Sequence, residues 1–132
     1  MKDILQDIKN RASALNKTIV LPEAEDKRVV EAAVKTVKEN VAKIVLLGNK
    51  DEILANNPGV DLTGVTVIDP ATYEKTGDYA KLLFDLRKGK INKKTGLDEY
   101  PTVDDAKNYI LKDFTMYGAL MLTLNDVDGM VS

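Results

Sequence analysis

The sequence predicts an α/β fold of three layers, α/β/α, with a mainly parallel sheet held between helices. Two observations carry that prediction. Short β-branched runs alternate with longer stretches of helical period along the whole chain. The segments joining them are short, and parallel strands need a crossover element, right-handed by strong rule. A third observation sets the scale: 132 residues, 44% hydrophobic and 30% charged, are one globular domain's worth of chain.

Met1 to about Asn16 places Ile4, Leu5, Ile8, Ala12 and Leu15 on one stripe, which predicts an amphipathic helix. Lys17-Thr-Ile-Val-Leu-Pro22 is a buried strand stopped by proline. From Glu25 to Asn40, Val29, Val30, Ala33, Val34 and Val37 return every three or four positions, a helix covering one face. Lys43-Ile-Val-Leu-Leu-Gly48 reads as a second strand and Asp51 to Asn56 as a brief helix, broken by Asn57-Pro-Gly59. Val65-Thr-Val-Ile-Asp69 is a third strand, closed by Pro70. Helical period resumes from Tyr73 to Lys90 through Tyr79, Leu82, Leu83 and Leu86. Ile91 to Pro101 has no period and reads as a loop. Thr102-Val-Asp-Asp105 is a capping box with Asp in place of Glu or Gln, so a helix opens there. Phe114 to Leu124 is a further apolar helix, and Val127 to Ser132 begins another strand. The chain stops on that strand with no helix following, so a truncated piece of a longer polypeptide is expected.

Composition excludes more than it selects. Histidine and cysteine are absent, which removes Ser-His-Asp and Cys-His triads, disulfides, Cys-x-x-Cys redox chemistry and most zinc sites. Proton transfer falls to Asp, Glu, Lys or Tyr, or to residues elsewhere. A net charge of −2 does not make the chain as a whole a binder of nucleic acid. The longest apolar stretches, Ile44 to Leu47 and Ala119 to Leu122, are far too short for a secretory signal or a membrane span. A cytoplasmic location, without membrane or nucleic-acid partners, is the expectation.

Three motifs bear on chemistry. Glu23, Glu25 and Asp26 lie between the first strand and its helix, at the carboxyl end where ligands of open parallel sheets gather. They are candidate bases or acceptors; equally, acidic residues there cap a helix and complement its dipole. No G-x-G-x-x-G or G-x-x-x-x-G-K-[ST] occurs, which disfavours dinucleotide and P-loop readings. Arg87, Lys88, Lys90, Lys93 and Lys94 form the densest cationic run, suited to phosphate groups or simply to a helix C-terminus. It carries no interleaved aromatic for stacking on single-stranded nucleic acid. Asn125-Asp-Val-Asp-Gly129 lacks the spacing of an EF-hand loop and reads as a turn. Met116, Tyr117, Leu120 and Met121 form an apolar face, either core or a surface meant for a missing segment.

Taken together, Lys17-Thr-Ile-Val-Leu-Pro-Glu-Ala-Glu-Asp26, Arg28, Ala42 to Asn49, Ile68-Asp-Pro70, Leu86-Arg-Lys88, Tyr117-Gly118 and Val127-Asp-Gly-Met-Val-Ser132 are collinear with the N-terminal part of the phosphate acetyl/butyryltransferase family. The resemblance covers essentially all 132 residues. It implies residues 1–132 as a partial N-terminal α/β domain of a two-domain, homodimeric enzyme, whose second domain is absent from this chain. It implies reversible acetyl transfer, acetyl-CoA plus phosphate giving acetyl phosphate plus CoA, with coenzyme A a substrate and no cofactor or metal. The catalytic base and its Arg and Ser companions belong to the family's C-terminal half, so no catalytic residue is expected here and the piece alone is expected to be inactive. Arg87 matches a position associated with CoA, and Ser132 the start of a Ser-Gly-Ala segment lining the cleft. Two departures stand out. Ile91 to Tyr100 looks like an insertion, so no role passes to Lys93 or Lys94, and Asn125 replaces a common glycine. A phosphate butyryltransferase piece and a stand-alone non-catalytic binding module are the alternatives.

Overall fold

The computed structural model describes residues 4–11, 17–91, 93, 96 and 99–132. Four strands, β1 (Thr18–Leu21), β2 (Lys43–Leu47), β3 (Thr66–Ile68) and β4 (Gly129–Met130), make one sheet in the order β3-β2-β1-β4. Every pairing is parallel, with Ile19 opposite Ile44 and Gly129, and Val45 opposite Thr66. The helices are α1 (Ile4–Arg11), α2 (Lys27–Lys38), α3 (Lys50–Asn56), α4 (Thr76–Arg87), α5 (Val103–Ile110) and α6 (Phe114–Thr123).

Side chains alternate across the strands, and that period of two divides the core into two clusters. Ile19, Leu21, Ile44 and Leu46 pack on one side with Ile8 of α1, Val29, Val30 and Ala33 of α2, and Ile53 of α3. Val20, Val45 and Leu47 pack on the other with Tyr79, Ala80 and Leu83 of α4, Ala106 and Ile110 of α5, and Tyr117, Leu120 and Met121 of α6. The three predicted layers are therefore present, and the apolar face of α6 is core. Helix α1 matches the front of the predicted stripe; Ala12 and Leu15 lie outside the described residues. On α2 the buried face also contains Thr36, which no hydrophobic pattern announces. Its hydroxyl escapes the cost of burial by donating to Ala32 O at 2.6 Å.

Ends follow local chemistry. Helix α4 begins three residues after the predicted Tyr73, because Asp69 first builds a turn: its carboxylate accepts from Ala71 N and its carbonyl from Thr72 N and Tyr73 N. Helix α5 opens on the predicted capping box, Thr102 Oγ1 accepting from Asp105 N while Asp105 accepts from Thr102 N. Helices α2 and α6 close alike. Asn40 N bonds to Val37 O and Val41 N to Thr36 O; Asn125 N bonds to Leu122 O and Asp126 N to Met121 O. Both asparagines take positive φ, 56° and 60°, the left-handed position of a Schellman cap that glycine or asparagine fills.

Candidate functional site

From β1 the chain steps outward to β2 and β3, then returns to place β4 on the far side of β1. The strand order thus reverses between β1 and β4, and ligands of open parallel sheets bind outside the carboxyl ends at such a point. A cleft of about 220 Å³ lies there, lined by Glu23 and Asp26 after β1, Arg28 and Val29 of α2, Val131 and Ser132 after β4, and Ile4 of α1. Two sequence candidates, Glu23 and Asp26, meet Ser132 in this cleft although more than a hundred residues separate them.

Asp26 takes the capping role and also pairs with a neighbouring cation. It caps α2, accepting from Arg28 N at 2.9 Å, and it holds the Arg28 guanidinium through Nε at 3.1 Å and Nη2 at 2.8 Å. That side-chain hydrogen bond lowers the Asp26 pKa and raises that of Arg28. The fork of donors on a guanidinium matches phosphate geometry, and a serine hydroxyl both donates and accepts. Two carboxylates, a guanidinium held by one of them, a serine and the apolar Ile4, Val29 and Val131 thus line the cleft. Glu23 also borders a second cleft of about 330 Å³ with Pro22, Glu25 and the α5–α6 turn at Lys112 to Thr115. Glu25 reaches a third, of about 350 Å³, with Asn49, Glu52, Asp69 and Phe114.

Arg87 lies elsewhere. It is the last residue of α4, and its guanidinium donates to Glu99 Oε2 from Nε at 2.9 Å and also from Nη2. Bonding to Glu99 raises its pKa. It does not line any of the three clefts at the carboxyl ends. Lys88, Lys90 and Lys93 are exposed around it, Gly89 turning the chain at φ 81°. Lys94 lies outside the described residues, as do other parts of the Ile91 to Tyr100 segment.

The Asn125–Gly129 turn spends its carboxylates internally. Asp126 accepts from Tyr79 Oη at 2.6 Å and from Lys75 Nζ at 3.2 Å; Asp128 accepts from Thr18 N at 2.8 Å. No group of three or more metal-ligating side chains gathers among the described residues. This polar cluster escaped the sequence reading, which placed Tyr79 and Tyr117 only as apolar helix positions. Thr76 Oγ1 donates to Pro70 O at 2.7 Å and lies 2.6 Å from Tyr117 Oη, while the two tyrosine rings meet edge to face at 5.0 Å. Burial pushes Tyr117 up to about 12. The only signal available was the presence of two phenols in otherwise aliphatic faces.

Sheet order, layers and carboxyl-end cleft define a three-layer α/β domain of parallel strands, with β4 beside β1. Comparison narrows that class. The sequence profile described as phosphate acetyl/butaryl transferase matches residues 3–132, and the chain belongs to that family. It is 41% identical to the phosphate acetyltransferase of Acetivibrio thermocellus over 128 residues, 97% of this chain and 36% of that protein. The phosphate acetyltransferase of Thermoanaerobacterium thermosaccharolyticum is 39% identical, over 98% of this chain and again 36% of the relative. Among solved structures, the EutD phosphotransacetylase from Staphylococcus aureus superposes with a TM-score of 0.75 at 26% identity, covering 99% of this chain and 38% of that one. A phosphotransacetylase from Streptococcus pyogenes gives 0.74 at 27% identity, with 98% and 36% covered. The chain thus spans little more than a third of the length of these relatives.

Proposed function

We propose that these 132 residues are the N-terminal portion of a phosphate acetyltransferase, the full-length enzyme transferring acetyl reversibly between CoA and phosphate. The observation that carries this reading is the similarity to phosphate acetyltransferases along nearly the whole chain, with Arg28 and Ser132 in a cleft at the sheet's reversal point. In the direction of thioester synthesis, a base takes the CoA thiol proton and the thiolate attacks the acetyl carbonyl of acetyl phosphate. Donors steady the oxyanion, and phosphate departs with the electrons of the broken C–O bond. The base and its companions belong to the two thirds of the relatives that this chain does not span. In this reading residues 1–132 supply part of one domain, Ser132 lines the interdomain cleft, and Arg87 holds a phosphate of CoA. No cofactor or metal takes part, coenzyme A being a substrate. The complete protein works as a cytoplasmic homodimer, without nucleic acid or membrane partners; no described helix is long and apolar enough to cross a membrane.

The family profile also embraces butyryl transfer, so a phosphate butyryltransferase is the second reading. Relatives named phosphate acetyltransferase favour the first, and comparing acetyl phosphate with butyryl phosphate on the complete enzyme separates them. The purified 132-residue chain should form no thioester from acetyl phosphate and CoA, and should bind CoA weakly. Arg87→Ala should weaken that binding by about tenfold, the worth of one charge-assisted contact. Thioester formation by the chain alone, or an unchanged dissociation constant in the variant, defeats the corresponding part.

A further inference from the structure

Strand β4 pairs with β1 over only two residues, Gly129 and Met130, yet Val131 and Ser132 after it line the cleft. So short a strand has few bonds of its own to fix where it ends. Two aspartates make up the difference. Asp128 clamps the base of β1 in both directions, its N–H donating to Thr18 O at 2.8 Å and its carboxylate accepting from Thr18 N at 2.8 Å. Asp126 reaches the other way, to the fully buried Tyr79 and to Lys75, so the turn before β4 is tied to α4. Tyr79 in turn packs on Tyr117, which meets Thr76 and through it the Pro70 carbonyl beyond β3. A network in which each polar group has its partner can hold one geometry.

We propose that Asp126 is a positioning residue: through Tyr79 and Lys75 it fixes the turn that launches β4, and so the place where Ser132 meets an anionic substrate group. The claim rests on the proposed reading of Ser132 as a cleft residue. Tyr79→Phe is the sharp variant, since it keeps the ring against Tyr117 and removes only the hydroxyl that reaches Asp126. Hydrogen exchange of the 132-residue chain reads the effect. The Val131 amide, bonded to Val20 O, and the Asp128 amide, bonded to Thr18 O, should exchange about tenfold faster. The Lys43 amide on Lys17 O and the Gly48 amide on Ile68 O should keep their rates. Acceleration at all four amides, or at none, overturns the proposal. A second arm titrates inorganic phosphate and follows the Ser132 amide by NMR where both proteins are fully folded. Half-saturation should rise several-fold in Tyr79→Phe; an unchanged value alongside faster local exchange reduces Asp126 to a structural role and overturns the claim. If the unsubstituted chain shows no phosphate-dependent shift at Ser132, the binding reading falls instead, and the exchange arm still decides whether Asp126 fixes β4.

Discussion

Asn125 takes a φ of 60°, in the left-handed region. A Schellman cap needs a left-handed residue there; glycine pays no steric cost, asparagine little, and β-branched residues about 1–2 kcal/mol. Asn125→Gly should therefore keep or slightly raise the urea midpoint, and Asn125→Val should lower stability by about 1–2 kcal/mol. The next residue carries a pH signature. Asp126 titrates below its ordinary 3.8 because Tyr79 donates to it, with Lys75 adding to the effect. A depressed carboxyl stabilises the fold above its unfolded pKa, and that contribution fades as pH falls through the lower folded value. Acid unfolding below about pH 4 should thus lose sensitivity in Asp126→Asn, measured as a shallower fall of stability with pH.

At the scale of elements, boundaries follow caps more closely than hydrophobic period. Thr102 and Asp105 satisfy each other's backbone N–H groups at the start of α5, and Thr102→Ala should cost about 1 kcal/mol, measured by chemical denaturation. Asp26 likewise ends the loop after β1 by capping α2, so a residue read as a candidate for chemistry is also a structural one. Where the period was the sole guide, at α4, the start shifted by a turn because Asp69 engages the next residues first.

The whole molecule depends on the return of the chain after β3. Three helices, α4 to α6, cover one face before β4 is laid beside β1, and this return creates the crevice holding Glu23, Asp26, Arg28 and Ser132. Gly118 allows α6 to lie close beneath: a Cβ there would come within 2.8 Å of Met130 Sδ and 3.4 Å of Val20. Arg87 sits apart from this crevice, at the end of α4 with Glu99.

By itself the sequence determined the layers. Runs such as Thr18–Leu21 and Lys43–Leu47 alternate with helical periods, and burial on both faces of a parallel sheet demands nearly continuous apolar strands. It also determined the Thr102 cap, since both partners lie within four residues of chain. Only the tertiary structure decided that β4 turns back beside β1, that Tyr79 reaches Asp126 across 47 positions, and that Ser132 shares a cleft with Asp26. Local propensity acts over a few bonds, whereas those meetings require the sheet to assemble and the separate helices to find one face of it.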